Sequence, residues 1–190
     1  MKVIDISSYQ KDINWDQVIA DGVQGVIMKV GEYTLDECFP TFLSKVKELG
    51  LPWGVYWLTH AESPDEASYE AQRLISALSG EVPPLGAFFD VEDNYVGQHG
   101  DATQECVAFM NQLTPLGIHV GIYAGYYTLR DFIQTASLED YVGYWLAQYG
   151  VSEPDWKREH PDKNVVGWQW SEHEYIGDTE VDMNEWYMEE

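Results

Sequence analysis

Cysteine is almost absent from this chain: Cys38 and Cys106 are the only two in 190 residues. Two thiols so far apart build neither a disulfide framework nor a zinc site, and they read as two buried, reduced side chains. Positive charge is nearly as scarce, with 10 Lys and Arg against 33 Asp and Glu and a formal net charge of -23. No basic stripe is present to neutralise phosphates, which disfavours nucleic acid and anionic membrane surfaces, and neither is expected as a partner. No apolar run is long enough to span a bilayer, and no signal-peptide core precedes the strand-like Met1-Lys2-Val3-Ile4-Asp5. The expectation is a protein made in the cytoplasm without an export signal. The five histidines, at positions 60, 99, 119, 160 and 173, show no metal-ligand spacing, so no metal or other cofactor is expected. Repeats, low-complexity segments and linkers are also missing. Hydrophobic content of 45% with only 8 Pro argues against disorder. The chain is therefore expected to be one domain over 1–190, and a monomer.

What the chain does contain is an alternation of strand-like and helix-like segments. Short apolar strands are expected at 3–6, 25–30, 53–58, 85–90, 118–124, 143–148, 165–170 and 179–184. Helical patterns fall at 15–20, 37–49, 63–78, 101–113 and 126–134, and the polar stretch 150–164 reads as a loop. The strongest helix start is Ser63-Pro64-Asp65-Glu66, with Ser63 as N-cap, Pro64 in the first turn and Glu66 completing a capping box. Strand–helix alternation through the first two thirds implies parallel βαβ units. Eight strands suggest a barrel, yet the chain is short against the roughly 250 residues of a complete eightfold barrel. The expected fold class is α/β, a helix-depleted (β/α) TIM-like barrel, with an open doubly wound sheet as the alternative.

The sharpest chemical signal is Leu85-Gly86-Ala87-Phe88-Phe89-Asp90-Val91-Glu92-Asp93-Asn94. A buried parallel strand ends abruptly in acids, and strand alternation sends Asp90 and Glu92 to one face and Val91 to the other. Two carboxylates at the end of a buried strand do not both ionise cheaply, so one is expected to hold a proton near neutrality. Functional groups in parallel barrels gather at the C-terminal strand ends. Those ends carry Asp5, Glu32, Tyr56, Asp90, Glu92, Tyr123, Trp145, Gln148, Gln169 and Asp182. Carboxylates suit glycosidic bond cleavage, aromatic faces suit sugar rings, and amides suit hydroxyl and N-acetyl groups. Plain structural readings stand beside these: aromatics at strand ends are often packing residues, Asp5 and Asp182 are alternatively strand-end caps, and Glu32 can pair with Lys29. The run Asp178-x-Glu180-x-Asp182-x-Asn184 mimics a calcium loop but lacks its required Gly, and a strand with outward acids is expected there.

Several segments in order carry a family resemblance. They are Asp5-Ile6-Ser7-Ser8-Tyr9-Gln10, Lys29-Val30-Gly31-Glu32, Gly54-Val55-Tyr56-Trp57, Asp90-Val91-Glu92, Gly121-Ile122-Tyr123, Trp145-Leu146-Ala147-Gln148-Tyr149, Gly167-Trp168-Gln169-Trp170 and Val181-Asp182-Met183-Asn184. Together they resemble the glycoside hydrolase family 25 lysozymes, the Chalaropsis-type muramidases that include phage endolysins. The resemblance implies hydrolysis of the β-1,4 bond between N-acetylmuramic acid and N-acetylglucosamine. It also implies that peptidoglycan glycan strands are the partner, reached after release from the cytoplasm. The family's acidic cluster falls on Asp5, Asp90, Glu92 and Asp182. Glu92 is the expected general acid, with Asp90 holding its proton by like-charge repulsion. Asp5 and Asp182 line the floor, and Tyr56, Tyr123, Trp145, Gln148, Gln169 and Glu32 are the expected substrate-binding residues. The chain departs from the family pattern at Tyr33, where Gly is usual, and at Tyr56-Trp57-Leu58. The alternatives are a chitinase-like hydrolase, although that family's earlier Asp is absent at Leu85, and a catalytically silent sugar-binding domain.

Overall fold

A computed structural model describes residues 1–92 and 100–187. Asp93, Asn94 and His99 lie outside the described residues. The elements are β1 (Lys2–Ile6), α1 (Trp15–Ala20), β2 (Gly25–Glu32), β3 (Thr34–Leu35), α2 (Phe39–Glu48), β4 (Trp53–Leu58), α3 (Pro64–Leu78), β5 (Ala87–Asp90), α4 (Thr103–Leu113), β6 (Val120–Gly125), α5 (Tyr126–Phe132), β7 (Gly143–Ala147), α6 (Asp155–Glu159), β8 (Val165–Ile176) and β9 (Thr179–Trp186). The eight segments read as strands from the sequence form one closed barrel. Its order is β1-β2-β4-β5-β6-β7-β8-β9, with the short β3 added to β2. The neighbours from β1 round to β8 pair in parallel, and β9 closes the ring antiparallel to both β8 and β1. The barrel is therefore mixed, and its helices thin out where the last strands become a hairpin that needs no crossover.

Strand alternation divides the core in two. Ile4, Val26, Met28, Val55, Phe89, Ile122 and Leu146 belong to the apolar layer between barrel and helices. Val3, Ile27, Leu85, Phe88, Trp145, Val166 and Trp186 fill the barrel interior. Inward glycines make room for these rings. A Cβ at Gly121 would stand 2.5 Å from the Phe88 ring, and one at Gly167 would stand 2.4 Å from that of Trp186. Any side chain at either position overpacks the interior, at about 1–3 kcal/mol.

The helix start at Ser63 forms as expected, its hydroxyl accepting the Glu66 N–H at 3.3 Å. The Glu66 carboxylate, however, accepts the N–H of Glu62, not that of Ser63, at 2.7 Å. Three further expectations are corrected. The stretch 150–164 contains α6, whose Trp156 is buried; its five residues are too few for a helical period to show. Cys38 is only partly buried, and both cysteines are free. Asp182 and Asn184 do not face outward, because pairing with β1 turns them to the barrel interior. Among the described residues, no helix is long and apolar enough to cross a membrane.

Candidate active site

The inward face of each strand changes character along its length. Val3 is followed by Asp5, Ile27 by Lys29 and Phe88 by Asp90, while on β9 Trp186 and Asn184 follow Asp182 in reverse because that strand runs the other way. The barrel is thus apolar at one end and polar at the other. The polar end opens into a cleft of about 700 Å³, lined among others by Asp5, Lys29, Tyr56, Asp90, Glu92 and Asp182. The tip of the β8–β9 hairpin forms one wall through Glu172, His173 and Glu180.

Asp5 and Asp182 are direct partners across the β1–β9 ladder. The buried Asp5 carboxylate accepts from Asn184 Nδ2 at 2.8 Å and from Gln169 Nε2 at 3.0 Å. Burial raises its pKa, and those hydrogen bonds and one from Asp182 offset the rise only in part. Asp182 has the weaker claim to an anion. Burial first, then the charge of Asp5 and the hydrogen bond to it, push its pKa up to about 8. The pair therefore holds one proton at neutrality, resident on Asp182, with Asp5 as the anion. Gln169 orients the pair. Its amide oxygen accepts from Tyr123 Oη at 2.8 Å and Tyr149 Oη at 2.6 Å, so its NH2 faces the carboxylates.

Asp90 and Glu92 both line the cleft while Val91 packs into the outer core, as strand parity requires. Their environments differ. Glu92 is exposed and Asp90 is buried, with Asp90 Oδ1 lacking a hydrogen-bond partner among the described residues. Burial, reinforced by the charges of Glu92 and Asp5, holds the Asp90 pKa well above the usual carboxylate range. The sequence expectation had an Asp90 anion keeping a proton on Glu92. Like-charge repulsion is mutual, and on the Asp90 side burial adds to it, so the buried carboxyl is pushed up as well.

The expected substrate-binding residues separate into two groups. Tyr56 lines the cleft, and burial together with Asp5, Asp90 and Asp182 pushes its phenol well above its ordinary pKa. Tyr123 is half-buried, its phenol donating to Gln169 and likewise raised by burial and then by Asp90, and its ring lies 4.4 Å from that of Trp145. The other four are engaged within the protein. Trp145 is 1% exposed and donates to Asn184 Oδ1 at 2.7 Å, so it lies beneath the sugar face that it was expected to form. Gln169 is 2% exposed and uses both ends of its amide internally. Glu32 is held by Lys29 Nζ at 2.5 Å and His60 Nε2 at 2.8 Å, which lower its pKa against the opposing effect of burial. Gln148 accepts from the Asp155 N–H at 2.8 Å and donates to Asp155 Oδ2 at 2.7 Å, tying down the start of α6. Gln148→Ala is therefore expected to cost about 1 kcal/mol of stability, the usual loss of a helix cap. Thermal unfolding should register that loss, while KM stays at the wild-type value.

Sequence reasoning missed Lys29, Tyr149 and Asn184 as parts of the site. Lys29 and Asn184 share strand parity with Asp5's neighbours and were findable on that ground. Tyr149 lies past the end of β7 and had no periodic signal. Among the described residues, no group of three or more His, Cys, Asp and Glu is arranged to hold a metal ion.

The molecule thus carries a cleft of paired carboxylates at one end of a helix-poor barrel. The family model for glycosyl hydrolases family 25 matches residues 4–179. The chain belongs to that family. Family 25 structures share the whole architecture. The CTP1L endolysin superposes with a TM-score of 0.84 at 21% identity, over 98% of this chain and 66% of its own. The modular autolysin LytC of Streptococcus pneumoniae gives 0.83 at 25% identity, over 98% of this chain and 46% of its own. The catalytic domain of endolysin ply40, from bacteriophage P40 of Listeria monocytogenes, gives 0.80 at 24% identity, over 97% and 91%. The chain thus spans about two thirds of the first of these and under half of the second. No curated protein matches it in sequence. As a family 25 member it is a glycoside hydrolase, and cleavage of a sugar–sugar bond by carboxyl groups is the chemistry that its cleft can perform.

Proposed function

We propose that this family 25 enzyme is a lysozyme that hydrolyses the β-1,4 bond between N-acetylmuramic acid and N-acetylglucosamine in peptidoglycan. The observation that carries the reading is the convergence of Asp5, Asp90, Glu92 and Asp182 on one cleft in a chain of this family. LytC, a structural neighbour, has been solved in complex with a synthetic peptidoglycan ligand. The presence of phage endolysins among the neighbours supports action on the cell wall after release from the cytoplasm.

In this reading Glu92, the solvent-facing acid, donates a proton to the glycosidic oxygen as the C–O bond breaks. Positive charge then develops at the anomeric carbon, where the Asp5 anion on the floor faces it. A water molecule adds to that carbon and gives up a proton to a carboxylate of the cleft. Asp90 offers a carboxyl whose Oδ1 lacks a partner among the described residues, and an acetamido group of the substrate supplies one. Asp182 keeps Asp5 in place by donating the shared proton to it.

Digestion of purified peptidoglycan followed by analysis of the new ends tests the assignment. New reducing ends on muramic acid are expected. New reducing ends on N-acetylglucosamine, equal activity on chitin oligomers, or freed amino groups would each replace it with another hydrolase class.

A further inference from the structure

The tip of the β2–β3 hairpin holds an aromatic residue where the backbone calls for glycine. Glu32 pairs with Thr34 across the turn, which leaves Tyr33 alone at the apex with φ +41°. The only other non-glycine residue with positive φ among the described residues, Ser79, ends a helix, where that conformation is ordinary. Tyr33 caps nothing and its side chain gains little burial, since it is 67% exposed. Unfavourable backbone held in place at an exposed residue points to a use for the side chain.

The surroundings fix that side chain as a platform. One face of the Tyr33 ring lies on the His60 ring, with centroids 3.9 Å apart and planes 12° from parallel. The Arg73 guanidinium donates to the Tyr33 carbonyl and is itself seated over the buried Trp57 ring, 5.2 Å from its centroid. His60 Nε2 meets Glu32 Oε1 at 2.8 Å, and the other Glu32 oxygen holds Lys29 Nζ, which lines the cleft. A continuous chain of contacts therefore locks the platform to the rim of the cleft.

We propose that Tyr33, backed by His60, is a distal sugar-binding subsite that stacks on a ring of the glycan strand as it leaves the cleft on the β2–β4 side. It makes the enzyme favour long strands over short fragments. The inference rests on the muramidase reading for the identity of the sugar, and its test is a binding measurement that needs no turnover. A rigid, exposed, nearly planar aromatic pair suits the apolar face of a pyranose ring, and an already ordered side chain loses little entropy on binding.

The probes are bare tetrasaccharide and octasaccharide strands of alternating N-acetylglucosamine and N-acetylmuramic acid, titrated calorimetrically into Glu92→Gln protein with and without Tyr33→Gly. Glycine suits the turn, so Tyr33→Gly should unfold at no lower temperature than its parent. Octasaccharide affinity is expected to fall roughly three- to tenfold, tetrasaccharide affinity to stay constant, and Tyr33→Phe to behave as Tyr33. Equal octasaccharide affinity with Tyr and Gly at position 33 overturns the proposal, as does equal loss on both lengths or no octasaccharide binding at all. A loss confined to strands carrying stem peptides overturns it in favour of peptide recognition. Turnover of the same octasaccharide by the wild type reports separately on the muramidase reading.

Discussion

Glu92→Gln should lower turnover on peptidoglycan by roughly 10²- to 10⁴-fold while leaving affinity for the glycan nearly intact. The amide matches the carboxyl in shape and keeps hydrogen-bonding capacity, but it carries no proton to give to the leaving oxygen. Glu92 is exposed at the lip of the cleft, so an isosteric amide there should leave the fold unaffected. Asp90→Asn supplies the contrast. Burial and the neighbouring charges already disfavour the Asp90 anion, so an uncharged amide in its place is expected to cost less than the loss of the acid. Its effect is expected chiefly in KM if the group positions the acetamido arm. A Glu92→Gln enzyme retaining more than about a tenth of wild-type kcat would remove Glu92 from the role of general acid.

Asp5→Asn is the second large effect, and it carries a pH signature. Loss of the floor anion beneath the developing charge is expected to cost roughly 10²- to 10³-fold in kcat, the scale of removing one preorganised electrostatic group. The hydrogen-bond network survives, because the amide oxygen of the variant can still accept from Asn184 and Gln169. The wild-type profile should fall on its alkaline side near pH 8, where Asp182 gives up the proton that the pair shares. Burial is the main cause of that high value and the Asp5 charge comes next. Removing the charge therefore moves the alkaline limb to lower pH without abolishing it. Stability follows the same sign. The folded pKa of Asp182 lies above the unfolded value, so its contribution is complete below the ordinary carboxylate range and is lost as pH rises through about 8. Measuring kcat/KM and thermal unfolding from about pH 5 to about pH 9 checks both. An alkaline limb that stays in place in Asp5→Asn would show that Asp182 and Asp5 do not share a proton.

How much of this was legible beforehand varies from residue to residue. Strand alternation placed Asp90 and Glu92 on one face, and the structure keeps that parity even though Glu92 lies past the end of β5. Asp5 and Asp182 were also recognisable as strand residues facing the site, although the direction of the last strand was not. Gln148 and Trp145 show the limit. Both sit in a strand-end segment with Tyr149, yet Gln148 is spent on Asp155, seven residues later, and Trp145 on Asn184, 39 residues later. Glu32 had a competing reading as the partner of Lys29, and that contact exists, with His60 added from the segment just past the end of β4.

The sequence by itself determined which side chains face into the barrel and that the inward rows end in carboxylates, because alternation along a strand is a local property of each backbone. It also determined the acidic, helix-poor character of the chain. Only the tertiary structure decided that β9 closes the ring antiparallel to β1, placing Asp182 against Asp5 so that burial makes them share a proton. It likewise decided that Asp90 is the deeper acid, its pKa raised by burial, while Glu92 stays exposed. Burial depth and partner choice depend on how distant strands close around one another, and no local pattern along the chain encodes that.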